Sequence, residues 1–459
     1  MMLTLLHALA LAAPARTSQS GDLVAIRVRR AETVAQGPIE HALILVEGGK
    51  IVEIGEDLPV ERGIRVIDRP DWVATPGLVN AHTRAGAERS SGRGFEPQVR
   101  PTSEIDPRAD YWRELLELGV TTLGFYPDGG GIPGQAIVLQ PYGKSVQEML
   151  VAEPAYLKVF LHSSAASKKA LREAFQKADE YQEKLAKERE KWEKEQEKKK
   201  KSSKPSASSK KEDEKKEDPK ADEKNKDEKK DEKKVPEKGT LAPPQPELAA
   251  GQDEKKEEPK KDAVETFVPP VPDEKVKPFL DLRQKTLTAM MSIRKAADYL
   301  HLLDVIEDEK DVQWFLQFPL QDDGDLYEVA TKIGERKLLV VTEPEITLQT
   351  NSLRERNIPA ELVRAGAKLA LTPRFDGPAA FKDWLPDVGR LIGQGLPREA
   401  ALAAVTLEGA RALGLEKSLG SLEKDKTANI VFWSGDPFEP SSRVAAVMLA
   451  GKFVVGEVK

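Results

Sequence analysis

Apolar segments that alternate with helical patterns cross the middle of the chain, and this alternation constrains the fold most strongly. Strands that alternate with helices form parallel sheets, because each helix carries the chain back across one face of the sheet. Eight strands are the number found in a (β/α)8, or TIM, barrel. The predicted strands span Trp72–His82, Gly119–Tyr126, Gln135–Gln140, Ala155–His162, Thr286–Ser292, Val312–Phe318, Lys337–Thr342 and Ala367–Thr372. The sequence therefore predicts an α/β fold with a TIM barrel built from residues 72–197 and 272–413.

Helical patterns follow or precede these strands where a barrel requires them. The last predicted helix starts with a proline in its first turn and is followed by Gly414, which are normal start and stop signals. The predicted helices span Tyr111–Leu118, Ile293–Val305, Leu326–Gly334, Phe381–Gly393 and Pro397–Ala412.

Both ends of the chain carry short strands separated by turns. The N-terminal strands span Leu23–Val28, His41–Val46, Ile51–Ile54 and Arg65–Asp68, and the C-terminal strands span Thr427–Trp433, Val444–Leu449 and Phe453–Val455. Neither end has enough strands for a stable unit by itself, which favours pairing between the two ends.

One segment interrupts the predicted barrel. Charged residues make up 32% of the chain, and the excess is concentrated in residues 198–271, which consist mainly of Lys, Glu, Asp, Ser and Pro. Such a composition buries too little apolar surface to offset the entropy lost on ordering. We therefore predict a disordered insertion between the fourth and fifth barrel strands, with a polybasic binding arm as the alternative.

The first residues resemble a secretory leader. Residues 1–15 contain the apolar run Leu3–Ala13 and small residues at Ala13 and Ala15, which predicts a signal peptide and an exported protein. The alternatives are an ordinary apolar leader or a misplaced start codon. We predict no membrane-spanning helix elsewhere, because no other stretch approaches the ~20 apolar residues that one needs. The net charge of −6 gives no indication of a nucleic-acid partner, and the absence of cysteine excludes thiolate metal sites.

Two motifs at opposite ends of the chain carry a family resemblance. The run TPGLVNAHT, residues 75–83, resembles the first-strand signature of the amidohydrolase superfamily, and GSLEKDKTAN, residues 420–429, resembles a later segment of that family. The chain is similar to imidazolonepropionase-like and secreted amidohydrolase-related proteins. The resemblance implies a TIM barrel with a composite β-sandwich, here built from residues 22–71 and 414–459.

The resemblance also implies a metal site. Its ligands would be two histidines after the first strand, one after each of the fifth and sixth strands, and an aspartate after the eighth. Some members add a lysine on the fourth strand. This chain has His82 at the first position and Arg84 at the second, and it has no histidine in Thr288–Ser292 or Trp314–Phe318.

We therefore interpret the metal site as degenerate. His82 and Asp376 are the vestigial ligands, and His162 is a weaker third candidate. Arg84 is the candidate for a cation that replaces the metal and pairs with Asp376, with Glu343 as a second candidate partner. The structural alternatives are packing of His82 against Trp72 or Tyr126, an exposed Arg84, and His162 beside a helix cap.

Three functions remain open. The resemblance implies hydrolysis of non-peptide C–N bonds, as in cyclic amides and imidazolone-like rings, with zinc as the metal of a functional site. The first alternative is a non-catalytic barrel that binds a small ligand or a protein partner. The second is a metal-free enzyme that uses Asp376 or Glu343 as the catalytic base. Because the ligands are incomplete, we expect no cofactor.

Overall fold

The computed structural model describes residues 23–87, 93–202, 266–320 and 324–456. The predicted signal peptide lies outside the described residues, as do residues 203–265 of the predicted insertion. Residues 198–202 of the predicted insertion continue a long helix. Ion pairs one turn apart, such as Lys194 with Glu190, line the part of this helix that precedes them, and such pairs stabilise an exposed helix.

The N-terminal part of the chain forms strands connected by turns. They are β1 (Val24–Glu32), β2 (Pro38–Glu40), β3 (Ala42–Glu47), β4 (Lys50–Glu56) and β5 (Arg65–Pro76).

The next part runs from the first predicted barrel strand into the long helix. Its elements are β6 (Leu78–Thr83), β7 (Arg93–Phe95), α1 (Tyr111–Glu117), β8 (Val120–Phe125), β9 (Gly129–Ile132), β10 (Gly134–Gln135), β11 (Ile137–Leu139), α2 (Val146–Met149), β12 (Leu150–Ala152), β13 (Tyr156–Phe160) and α3 (Ala165–Ser202). A 3-10 turn at Pro101–Glu104 precedes α1.

The remaining part alternates helices and strands before it returns to the terminal strands. Its elements are α4 (Lys277–Arg283), β14 (Thr288–Ser292), α5 (Ala296–Ile306), β15 (Trp314–Gln317), α6 (Ala330–Glu335), β16 (Leu339–Thr342), β17 (Thr347–Leu348), β18 (Glu355–Arg356), α7 (Ile358–Ala365), β19 (Lys368–Leu371), α8 (Pro378–Gly393), α9 (Arg398–Ala404), α10 (Leu407–Ala412), β20 (Ile430–Trp433), β21 (Val444–Leu449) and β22 (Lys452–Val455). A 3-10 turn at Leu326–Val329 precedes α6.

Strands from the two chain ends share one sheet, in the order β22-β21-β20-β5-β1-β3-β4, with β2 paired to β1. Strand β5 lies at the junction, because it runs parallel to β1 and antiparallel to β20, with Thr75 opposite Val431. Side chains from both ends, among them Ile26, Ile44, Ile430 and Phe432, pack in one apolar core. We call these strands the terminal sheet.

The predicted strand Trp72–His82 is wrong in one respect, because Pro76-Gly77 divides it between two sheets. Gly77 donates its N–H to the Asn429 carbonyl at 2.9 Å, whereas Leu78 donates to the Gly119 carbonyl at 3.0 Å. A Cβ at residue 77 would lie 2.1 Å from Thr121 Oγ1, so only glycine fits this close approach. The first half of the run therefore belongs to the terminal sheet, and the second half starts the central strands.

The central strands form a six-stranded sheet, β10-β13-β14-β15-β16-β19, and a four-stranded sheet, β12-β11-β8-β6. Strands β13, β14, β15, β16 and β19 are parallel neighbours, as predicted, and β6 and β8 are parallel. Within the described residues, no strand pairing joins β19 to β6. The hydrogen bonds therefore give two sheets and no closed ring.

The predicted third strand, Gln135–Gln140, does not run parallel to its neighbours. Residue Ala136 separates β10, which pairs with β13, from β11, which pairs antiparallel with β8. The residues between β8 and β10 are too few for the crossover helix that a parallel strand requires. Ala136 exchanges two backbone hydrogen bonds of 2.8 Å with Ala155 and Tyr156, so this segment links the two central sheets.

One apolar cluster collects side chains from nearly all the central strands. It includes Val79 and Ala81 of β6, Val138 of β11, Tyr156 of β13, Met290 of β14, Phe315 of β15, Val341 of β16 and Ala370 of β19. Two larger clusters lie between these strands and the surrounding helices. The strands therefore bury one face against each other and the other face against helices.

The predicted helix Pro397–Ala412 is two helices, α9 and α10, with a break at Val405. The Val405 carbonyl accepts a hydrogen bond from the Val79 amide at 2.9 Å, so the break is tied to β6. A Cβ at Gly409 would lie 2.6 Å from the Val79 carbonyl oxygen, which shows how closely α10 approaches this strand.

Residues Glu183–Pro270 form a unit distinct from the rest of the chain. Its described part consists of the second half of α3 and residues 266–270, and the rings of Trp192 and Phe267 lie 5.8 Å apart. Ion pairs one helical turn apart, such as Arg189 with Glu193, line this half of α3. In the part of the chain that the structure describes, no helix combines the length and apolar character of a membrane span.

Candidate functional site

Strands β6, β8 and β13 bring a group of polar and aromatic side chains together. His82 lies near the end of β6, Tyr126 comes directly after β8, and Lys158 lies in β13. The His82 and Tyr126 rings stack with centroids 3.8 Å apart and an angle of 8°. Lys158 Nζ lies 3.6 Å from the Tyr126 ring centroid. With Arg84 and Asp376, described below, these residues form what we call the strand-end cluster.

His82 is held from two sides. Its Nδ1 lies 3.0 Å from the Tyr156 hydroxyl, which itself donates to the Ala81 carbonyl at 3.2 Å. Because that hydroxyl proton is used, the oxygen accepts from His82, which puts the imidazole proton on Nδ1. Burial, and to a smaller extent the nearby Lys158, hold the pKa of His82 well below its usual value. The imidazole is therefore neutral at pH 7. Packing against Tyr126, one of the two structural alternatives, is observed.

Arg84 pairs with a carboxylate, but the predicted partner is wrong. Its guanidinium donates to Glu104 Oε2 at 2.8 Å and to the Tyr126 carbonyl at 2.8 Å. Asp376 Oδ1 instead accepts from the Thr83 hydroxyl at 2.5 Å and from the Arg84 backbone N–H at 3.1 Å. Asp376 therefore accepts hydrogen bonds from local donors, whereas the buried Glu104 pairs with the guanidinium of Arg84. The side chains of Arg84 and Glu104 are only 14% and 6% exposed, so Arg84 does not point into solvent.

Lys158 is a buried amine, with only 7% of the residue exposed. Burial lowers its pKa to about 7, and the positive charge of Arg84 acts in the same direction, while Asp128 and Asp376 act against it. A large fraction of Lys158 is therefore uncharged at neutral pH, unlike an exposed lysine.

Glu343 follows β16 and is only partly linked to the cluster. Its carboxylate accepts the Leu320 N–H at 2.7 Å, and burial raises its pKa to about 7. The negative charge of Glu343 adds to a rise in the pKa of Tyr126 that is caused mainly by burial. Among the described residues, no hydrogen bond joins Glu343 to Arg84 or to Asp376.

His162 is not brought to His82. It is exposed beyond the end of β13, its ring meets Phe160 edge to face at 4.5 Å, and its N–H donates to Ser167 Oγ at 3.3 Å. This is the predicted alternative of a residue beside a helix start.

The ends of β14 and β15, where the resemblance implies metal-binding histidines, carry Ser292 and Gln317. The Ser292 hydroxyl donates to Gln317 Oε1 at 2.5 Å, and both residues are buried. These two side chains are hydrogen-bonded to each other, and neither carries an imidazole.

The side chains of the cluster do not fit a zinc ion. Over the described ranges, no three His, Asp, Glu or Cys side chains lie close enough together to hold a metal ion. Zinc sites require three or four such donors. The described cluster offers one imidazole, and the guanidinium of Arg84, which lies over the Tyr126 ring that stacks on this imidazole, would repel a cation.

Comparison with known proteins gives one family. A model of the amidohydrolase family matches residues 357–455, from α7 to β22. An imidazolonepropionase of Acinetobacter baumannii is 37% identical over 86 residues, which are 18% of this chain and 21% of that protein. A crystal structure of an amidohydrolase from Thermotoga maritima covers 95% of this chain and 100% of its own, with a TM-score of 0.67 and 20% identity. The family match and the imidazolonepropionase alignment therefore support the amidohydrolase superfamily for this chain, and the crystal structure shows a similar fold.

The similarity to these known proteins is limited in aligned length and in sequence identity. The alignment spans about a fifth of the length of the imidazolonepropionases that the chain matches. A prolidase crystallised with N-methylphosphonate-L-proline also covers 95% of the chain, with a TM-score of 0.51 and 11% identity, and this likeness concerns the fold alone.

Two residues at this site were missed by sequence reasoning. Glu104 lies in a 3-10 turn and not at a strand end, so the rule that favours strand ends does not find it. Lys158 had a visible signal, because a lone charge interrupts the apolar run AYLKVFL, and buried lysines are rare without a function.

Proposed function

We propose that this protein binds a small organic molecule at the strand-end cluster and does so without a catalytic metal ion. The observation that carries the proposal is the position of Lys158 and Arg84. Two basic side chains lie around His82, in the place where zinc-dependent hydrolysis would need carboxylates and imidazoles. The loss of zinc-dependent C–N bond hydrolysis follows from this arrangement.

The proposal extends to the architecture. The two central sheets together form one eight-stranded barrel, and the terminal sheet folds over to form the composite β-sandwich. The shared cluster of side chains from β6 to β19 and the link at Ala136 support the barrel. An isolated backbone bridge between Lys50 and Thr427 supports the curling of the terminal sheet.

Purified full-length protein is expected to remain free of zinc. After incubation with excess zinc and desalting, mass spectrometry of metal content should give a small fraction of one ion per chain, because the cluster offers too few donors. His82→Ala should give the same result. Stoichiometric zinc in the parent protein that disappears in His82→Ala would contradict the proposal.

A second candidate function is metal-free hydrolysis of a cyclic amide, and the raised pKa of Glu343 favours it. A general base works best when its pKa lies near the working pH. Asp376 is less suited, because its Oδ1 already accepts hydrogen bonds from the Thr83 hydroxyl and the Arg84 N–H.

If Glu343 is the base, hydrolysis in the presence of a chelator should increase as the pH rises through about 7, because only the ionised carboxylate accepts a proton. Hydantoin and dihydrouracil are suitable probes. Glu343→Gln should abolish the activity, while Glu345→Gln provides a neighbouring control. A chelator-resistant rate that Glu343→Gln leaves unchanged would exclude this role.

A further inference from the structure

A pocket with a volume of about 290 Å³ lies where β7, β9 and β13 meet the first two turns of α3. Val159 and Leu161, at the end of β13, form one wall, and both belong to the apolar core between the strands and the helices. No residue of the strand-end cluster lines this pocket. It is therefore a site distinct from that cluster, and we call it the α3 pocket.

The lining of the α3 pocket is apolar. Phe95, Ile132 and Leu171 contribute to it, and none of its lining residues carries a charge. A charged group placed here would lose water without gaining a charged lining partner, and this costs free energy. An uncharged apolar group gains from the same transfer, because apolar surface on both sides is removed from water. The pocket therefore selects an uncharged ligand.

Gly94 keeps the wall of the pocket formed by β7 open. Strand β7 pairs with β9, where Phe95 lies opposite Ile132. A Cβ at Gly94 would meet no other atom within 4 Å, and the backbone of Gly94 is outside the left-handed region. A side chain at residue 94 would therefore be compatible with the backbone, and its absence leaves room for a ligand.

Ser167 places one polar side chain in this apolar lining. Its Oγ accepts the His162 N–H at 3.3 Å, and among the described residues its own hydroxyl proton is donated to no acceptor. A serine hydroxyl is a donor as well as an acceptor. A ligand oxygen that reaches Ser167 can therefore accept a hydrogen bond there.

We propose that the α3 pocket binds an uncharged bicyclic aromatic molecule that carries one oxygen substituent. An apolar cavity of about 150 Å³ holds benzene. The α3 pocket is about twice as large, which suits two fused rings. Phe95 and Phe160 are aromatic neighbours for these rings, and the Ser167 hydroxyl donates to the oxygen. This second binding site goes beyond the function proposed above and does not depend on it.

Titration of the full-length protein with 2-naphthol at neutral pH, followed by ligand-detected NMR, tests the inference. We expect saturable binding of one molecule per chain. Gly94→Leu should weaken this binding at least about tenfold, because the added side chain occupies the space of the ligand. Gly393→Leu is the matched control and should bind like the parent protein. Gly393 is also exposed, also has no atom within 4 Å of an added Cβ, and does not line the pocket.

Two further variants keep the result interpretable. Ala170→Phe narrows the pocket from α3 and should weaken binding as Gly94→Leu does, so the test does not depend on the folding of one variant. Ser167→Ala should reduce the preference for 2-naphthol over naphthalene by about two- to tenfold, the effect of one hydrogen bond. Binding that is not saturable, or that both pocket-filling variants leave unchanged, would overturn the inference. An unchanged preference in Ser167→Ala would overturn the choice of an oxygen-bearing ligand.

Discussion

Deletion of residues 422–459 is expected to give an insoluble protein. The deletion removes β20, β21 and β22 and leaves β5 with an unpaired edge beside β1. It also removes buried side chains from the cores on both faces, namely Ile430, Val431, Phe432, Trp433, Val447, Met448 and Leu449. Burial of each large apolar side chain stabilises by about 1.5–3 kcal/mol. Their sum is comparable to the total stability of about 5–15 kcal/mol that is typical of a folded protein.

Sedimentation of expressed protein and size-exclusion chromatography measure this result. Co-expression of a separate fragment of residues 414–459 is the control, since it restores the missing strands and should recover soluble material. A truncated chain that is soluble, monomeric and cooperatively folded would contradict the role of β20 in completing the terminal sheet.

Replacement of Arg84 by methionine is expected to destabilise the protein by about 3 kcal/mol, because the buried Glu104 loses its guanidinium partner. The pair is 2.8 Å long, and both side chains are largely shielded from water. Arg84 also donates to the Tyr126 carbonyl, so the change removes a second hydrogen bond from the cluster. Denaturant unfolding followed by circular dichroism measures the loss.

Two further variants separate the buried pair from general effects. Arg113→Met breaks an exposed pair with Glu117, whose side chains are 84% and 49% exposed, and should change stability by less than about 1 kcal/mol. The double variant Arg84→Met/Glu104→Gln should be more stable than Arg84→Met, because the buried negative charge of the broken pair is removed together with the positive one. A loss below about 1 kcal/mol in Arg84→Met would show that Glu104 does not depend on this cation.

Most strands of the central sheets could be located from the sequence because they are short apolar runs bounded by turns or helices. The predicted segments Thr286–Ser292, Val312–Phe318, Lys337–Thr342 and Ala367–Thr372 each contain the observed strand and exceed it by two or three residues. Hydrophobic patterns report burial well, but strand ends depend on backbone hydrogen bonds that a pattern does not contain.

Features that depend on tertiary contacts could not be predicted from the sequence. Helix α7 was missed although Asn357 caps it by accepting from the Ala360 N–H at 3.0 Å and Pro359 lies in its first turn. Those residues followed no long apolar pattern. The partner of Arg84 could not be predicted either. Glu104 is 20 residues away in the chain, and its position next to Arg84 depends on how an irregular segment runs.

The pairing of β5 with β20 has a consequence for the order of events during synthesis. Thr75 and its hydrogen-bond partner Trp433 are 358 residues apart in the chain. At the usual rate of about 5–20 residues per second, roughly 20–70 s separate the appearance of these residues from the ribosome. Throughout that interval the N-terminal strands have an unpaired edge. They are therefore the part of the nascent chain most in need of a chaperone.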